Sequence, residues 1–90
     1  MNVQNRLNRE EVAGKIDSIL VEQLELGGRK LSPEMKLFEE LGMDSLDAID
    51  MVISCKKNFG IEIKEEDAKN IKTLSDVHEL VYRLYEKTLQ

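Results

Sequence analysis

The 90-residue sequence has no tryptophan, two phenylalanines, two tyrosines, one proline, one cysteine and one histidine. Each scarcity narrows the field. With 13 basic against 18 acidic residues and a net charge of −5, the chain lacks the basic face that phosphate contacts need and the aromatics that stack on bases. This argues against nucleic acid as a partner and favours partners with basic surfaces. The single cysteine, Cys55, cannot close an internal disulfide, and with one distant histidine, His78, it cannot assemble a zinc site. A reducing, cytoplasmic compartment is the natural expectation. No apolar run is long enough to span a bilayer and no signal-peptide core is present, so a soluble protein without membrane insertion is expected. A chain of 90 residues makes one domain with a modest core, burying about two-thirds of its unfolded surface. That argues against a large internal active site. Internal repeats, low-complexity tracts and a linker to a second domain are absent.

What is present is helical periodicity. Residues 1–7 show none, and Val3 and Leu7 fall off the apolar face that follows, so this stretch reads as a flexible extension before a single domain at 8–90. Asn8 with Glu11 forms an N-cap and capping-box acid, and Val12, Ile16, Ile19, Leu20 and Leu24 then recur on one face of a first helix. Gly27-Gly28 reads as its end. The segment from Arg29 to Met43 contains Pro33 and has no sustained period. So long a loop is uncommon unless anchored, and Leu31, Leu37, Phe38 and Leu41 are the expected anchors.

A second helix is predicted from Ser45 to about Asn58, with Asp44 as N-cap and Asp47 placed to reach back in capping-box fashion. At about 100° per residue, Ala48, Met51, Val52, Cys55 and Phe59 fall in one arc, the expected core stripe. Cys55 is therefore read as a packed small hydrophobe rather than a nucleophile. Leu46, Ile49 and Ile53 fall in another arc, separated from the first by Ser45 and Lys56 and bordered by Asp50 and Lys57. This second arc is either a wider buried face or an exposed docking strip with a charged rim. Asp44, Asp47 and Asp50 lack the ligand density and spacing of an EF-hand loop, so a cap with partner contacts is expected in place of a metal site.

Gly60 ends the second helix, and Ile61-Glu62-Ile63 alternates as an extended segment too short to build a sheet. A short third helix is predicted over 64–70, with Glu65, Glu66 and Asp67 in its first turn complementing the helix dipole. Thr73 or Ser75 caps a last helix whose apolar face comprises Leu74, Val77, Leu80, Val81, Leu84 and Tyr85, with a frayed end at 87–90. His78 reads as a half-exposed surface residue at the edge of that face, and Tyr82 and Tyr85 as packing residues with wet hydroxyls. The fold expected is all-α, a four-helix bundle with a short third helix and a long loop between helices one and two.

Ser45, in the first turn of the second helix, has free backbone N–H groups beside it and the positive end of the helix dipole beneath it, which would stabilise a phosphate ester. Nothing in the sequence activates its hydroxyl. The context is not a G-x-S-x-G elbow and no histidine is near, so the chemistry is expected to come from another protein.

The run LGMDSLD (Leu41 to Asp47), the helix IDMVISC after it, FGIEI (Phe59 to Ile63), the acidic turn beyond and the spacing to a last helix resemble an acyl carrier protein. The resemblance extends over roughly Glu11 to Glu86. A bare D-S-L is common by chance; the combination is specific. It implies that Ser45, flanked by Asp44 and Leu46, bears 4′-phosphopantetheine transferred from coenzyme A by a phosphopantetheinyl transferase that supplies base and Mg²⁺. The arm's thiol holds an acyl chain as a thioester. The resemblance also implies an acyl-chain cleft lined by Ile63, Ala68 and Ile71, and docking of acyl-chain synthesis and transfer enzymes on Asp47, Ile49, Asp50, Ile53, Lys56 and Lys57. The chain itself would catalyse nothing and hold no metal, acting as a monomer in fatty-acid or related biosynthesis. Lys56 and Lys57 stand where most of the family carries acids, which points to a specialised carrier with fewer partners. Alternatives are an aminoacyl, D-alanyl or polyketide cargo, an unmodified helical interaction module, and, least favoured, a small serine hydrolase.

Overall fold

The computed structural model describes residues 6–89. Residues 1–5 of the expected N-terminal extension, and Gln90, lie outside the described residues. Among the described residues there are four helices and no strand: α1 (Arg9–Gln23), α2 (Ser45–Phe59), α3 (Glu65–Lys69) and α4 (Leu74–Thr88). α1 packs against both α2 and α4. The all-α bundle with a short third helix and a long first loop is the one the periodicity predicts.

Each of the three long helices starts with a reciprocal capping box. In α1, Glu11 N–H donates to Asn8 Oδ1 at 2.8 Å and Asn8 N–H to Glu11 Oε1 at 2.9 Å. Asp44 with Asp47 opens α2 in the same way and Thr73 with Asp76 opens α4. In every case the N-cap side chain and the acid three residues on each accept from one amide that the helix itself leaves unpaired. Val12, Ile16 and Leu20 of α1 meet Met51, Cys55 and Phe59 of α2 and Leu74, Val77, Leu80, Val81 and Tyr85 of α4 in one apolar core. Phe59 packs edge-on to Tyr85 with ring centroids 6.2 Å apart.

Several boundaries and environments differ from the expectations. α1 stops at Gln23, before the glycine pair. Leu26 N–H donates to Val21 O at 2.9 Å, folding the chain back with Glu25 in the left-handed region at φ 54°. That is a Schellman stop built on a glutamate, so Gly27-Gly28 only continues the turn. α4 runs to Thr88 instead of fraying at Lys87, with Thr88 Oγ1 donating to Tyr85 O. Leu7 is half-buried against the core rather than part of a tail, and its N–H donates to the Tyr85 hydroxyl at 2.9 Å. The Tyr85 hydroxyl is thus engaged, not wet. His78 is also engaged, with Nε2 2.8 Å from Asp17 Oδ1 across the α1–α4 contact. Phe38 is no anchor, being 47% exposed.

The other expected anchors hold the loop, Leu37 and Leu41 buried and Leu31 packed half-buried against the core, and buried Met43 and the loop's own backbone join them. Leu37 N–H donates to Lys72 O at 2.9 Å, Leu74 N–H to Met35 O at 2.9 Å and Ser75 N–H to Pro33 O at 2.8 Å, around an isolated antiparallel bridge between Lys36 and Thr73. The loop carbonyls therefore satisfy the first two amides of α4 that the capping box leaves open.

Asp76 accepts from the amides of Thr73 and Lys72, and these bonds hold its carboxyl below the usual carboxylate range. A depressed folded pKa contributes stability above the unfolded pKa and loses it as pH falls through the folded one. Asp76 is partly open to solvent, which screens this contribution, so Asp76→Asn should cost less than about 1 kcal/mol at neutral pH, and urea denaturation at decreasing pH should show the gap to wild type closing in acid. Burial pushes the fully enclosed Cys55 thiol up to about 11. In the chain carrying no attached group, a thiol-disulfide reagent at about pH 8 should leave Cys55 unlabelled until urea unfolds the protein.

Candidate functional site

Ser45 is positioned by the end of the anchored loop. Met43 is buried and its N–H donates to Leu37 O at 3.1 Å, tying the approach to the loop's anchor. Gly42 at φ 76° supplies the left-handed step that turns the chain between buried Leu41 and buried Met43. Asp44 is then extended, at φ −122° and ψ −173°, and Ser45 is the first helical residue.

The capping box decides what surrounds the hydroxyl. Asp47 N–H donates to Asp44 Oδ1 at 2.9 Å and Asp44 N–H to Asp47 Oδ2 at 3.1 Å, while Ala48 N–H takes the Asp44 carbonyl at 3.0 Å. An α-helix leaves the amides of its N-cap and its first three residues without intrahelical acceptors. Here the box takes those of Asp44 and Asp47, leaving those of Ser45 and Leu46. Both residues are exposed. Ser75 provides the contrast, since it also lies in a helix's first turn, but its amide is spent on Pro33 and it is half-buried. The two carboxylates beside Ser45 are occupied with backbone amides, and the chain's one histidine is held by Asp17 between α1 and α4. Ser45 therefore has no imidazole to activate it. What the site offers is an accessible hydroxyl beside two open amides at the positive end of a 15-residue helix.

Along α2 the two apolar arcs separate as the wheel suggests. Met51, Cys55 and Phe59 are buried and Ala48 and Val52 half-buried, whereas Leu46 is 71% exposed, Ile49 55% and Ile53 46%. The second arc is thus an exposed strip, not a widened core. Asp50, Lys56 and Lys57 around it are exposed, and Asp47 is half-buried. Among the described residues, no group of three or more potential metal ligands is assembled.

The sequence reading missed one tie to this helix. Gln23, the last residue of α1, donates from Nε2 to the Asp47 carbonyl at 2.6 Å, while its Oε1 is buried with no hydrogen-bond partner. Its only signal in the sequence is a polar side chain three residues beyond the buried Leu20.

Around α3, Ile63 and Ile71 are buried in the common core and Ala68 packs half-buried against it. Ile71 also borders an open groove of about 590 Å³ between α3, α4 and the start of α1, where Arg9 lies over the Tyr82 ring at 4.7 Å. Neither Ile63 nor Ala68 lines that groove.

A family model described as a phosphopantetheine attachment site matches residues 14–81. The acyl carrier protein of Thermosynechococcus vestitus is 33% identical over 75 residues, covering 83% of this chain and 93% of that protein. The acyl carrier protein of Thermotoga maritima is 36% identical over 70 residues, covering 78% and 86%. A crystal structure of acyl carrier protein from Thermotoga maritima superposes with a TM-score of 0.77 at 26% identity, covering 94% of this chain and 99% of that one. With the family model and both relatives matching most of its length, the chain belongs to the acyl carrier protein family, carriers rather than enzymes that bear a covalently bound phosphopantetheine.

Proposed function

We propose that Ser45 is the attachment residue and that the chain shuttles acyl intermediates as thioesters in fatty-acid or related biosynthesis. The observation that carries the assignment is the exposed Ser45 hydroxyl next to the two amides its capping box leaves open. A phosphodiester at Ser45 fits there. The amides of Ser45 and Leu46 can receive phosphate oxygens, the helix dipole favours the negative charge, and Asp44 and Asp47 are drawn into the box instead of facing the phosphate with free carboxylates. In the loading reaction, Ser45 Oγ would attack the pantetheine-bearing phosphorus of the coenzyme A diphosphate, and the bond to the adenosine-bearing phosphate would break, releasing adenosine 3′,5′-bisphosphate. The transferase takes the hydroxyl proton and supplies Mg²⁺. When bound, the group contributes a thiol on a long arm.

The exposed strip Leu46, Ile49 and Ile53, with Asp47, Asp50, Lys56 and Lys57 at its rim, is the face on which the transferase and acyl-chain enzymes dock in turn. Ile63, Ala68 and Ile71 shelter the cargo beside α3. All three are apolar, which favours a hydrocarbon chain over an aminoacyl or D-alanyl group, whose ammonium would be stranded there. The compartment we assign is the cytoplasm, in keeping with the one buried thiol.

Intact mass after incubation with the host's phosphopantetheinyl transferase, coenzyme A and Mg²⁺ tests the assignment. The wild type should gain one phosphopantetheine group, and Ser45→Ala should gain none. A gain that survives in Ser45→Ala, or no gain by folded wild type with active transferase, would overturn it.

A further inference from the structure

α2 carries its charge in two blocks. Asp44, Asp47 and Asp50 lie at its cap and in its first two turns, and Lys56 and Lys57 lie in its last. At about 100° per residue, Lys56 falls between Ser45 and Ile49 around the helix, and Lys57 falls between Leu46 and Asp50. The lysines thus straddle Ile53 at the far end of the exposed strip. Neither has an acid three or four positions away on the helix, and among the described residues neither joins an ion pair. With a rise of 1.5 Å per residue, Asp47 and Lys56 are about 14 Å apart along the axis. That exceeds the Debye length of about 8 Å at physiological ionic strength. A partner therefore meets two poles rather than one summed charge.

Taking Ser45 as the attachment residue and α2 as the docking face, we infer that the partner is a protein surface of matching bipolar chemistry. It carries cationic side chains beside the mouth of its active site, facing Asp44, Asp47 and Asp50. Acidic side chains about 14 Å farther along face Lys56 and Lys57, with an apolar seat between them for Leu46, Ile49 and Ile53. A uniformly basic surface would be repelled at the lysine end, and a reversed approach would be repelled at both ends. The polarity so fixes the direction in which α2 is laid down and brings Ser45, rather than Ile53, to the partner's reactive centre. Lysines in a last turn also complement the helix dipole. That contribution is indifferent to the partner and would register only in stability.

The host's phosphopantetheinyl transferase is a suitable probe, because an enzyme acting on Ser45 must approach the side of α2 that Lys56 adjoins. The experiment compares its kcat/KM for wild type, for Lys56→Glu with Lys57→Glu, and for Lys56→Gln with Lys57→Gln. Thermal melts confirm that each variant is folded. Expected at low salt is a roughly tenfold lower kcat/KM for the glutamate pair, carried by KM, with an intermediate loss for the glutamine pair. Both losses should shrink at about 0.5 M salt. An unchanged or raised kcat/KM in the folded variants overturns the bipolar partner while wild-type loading at Ser45 upholds the attachment site. Failure of folded wild type to be loaded overturns the attachment site and this inference with it.

Discussion

The backbone pairing between residues 33–37 and 72–75 is the constraint on which the rest depends. The loop between α1 and α2 has no periodicity of its own and contains little that could form an independent core. Three hydrogen bonds of 2.8–2.9 Å to the start of α4 turn it into a fixed strap. Once it is fixed, Leu37 is set in the core, Leu37 O is in place to receive Met43 N–H, and Met43 delivers the chain to Asp44 in an extended conformation. The position of Ser45 is thus set by a contact made at the other end of the sequence. The same bonds satisfy α4's first amides, so one interaction solves the loop's packing problem and the helix's polar one.

The three capping boxes share one local design but have different outcomes. At α4 the box and the strap together leave no first-turn amide unpaired. At α2 the box alone acts, and the next two amides face solvent beside a hydroxyl. At α1 the corresponding residues are Arg9 and Glu10, which offer no attachment atom. One helix end is thus left with open N–H donors, at little cost because water can serve there, and this is the end to which the proposed attachment residue belongs. The charge of α2 follows similar logic, with acids near the positive end of the dipole and lysines near the negative end, so the helix is stabilised by the same pattern that gives its exposed face direction.

Much of this was legible in the sequence because it is local. Asn8 with Glu11, Asp44 with Asp47, and the apolar spacing of α1, α2 and α4 each involve residues within a few positions, where periodicity and cap chemistry speak directly. The exposed strip on α2 was legible as a second arc, but only packing could decide whether it was covered. What could not be read was long-range or fold-dependent. Leu7 with Tyr85, and Asp17 with His78, are separated by 78 and 61 residues, so neither sequence neighbourhood hints at the other. Phe38 was expected among the loop's anchors; with the strap oriented by the Lys36–Thr73 bridge and Leu37 turned into the core, Phe38 is left 47% exposed. Gly27-Gly28 looked like a stop because glycine tolerates positive φ. The stop falls earlier because the backbone folds Leu26 back over the last turn, forcing Glu25 into that conformation.

α3 differs from the other helices in ways that matter for a carrier. It has five residues, no side-chain cap and no buried residue of its own. Its position is held from outside by Ile63 before it and Ile71 after it, both buried, with Ala68 half-buried between them. A helix this short contributes almost nothing through propagation, so its stability is that of its two flanking contacts. Local opening is least costly where few apolar contacts are lost. Shifting α3 disturbs Ala68 and loosens Ile63 and Ile71, whereas shifting α1 or α4 would break the fully enclosed packing of Val12, Ile16, Leu20, Val77 and Val81. The bundle therefore divides into a rigid frame of α1, α2 and α4, which holds Ser45 and the exposed strip of α2 in a constant relation, and one lightly held segment beside the proposed cargo residues. The proposed function, one face presented to successive enzymes while a changing chain is accommodated, calls for that division, and α3 can yield without moving Ser45.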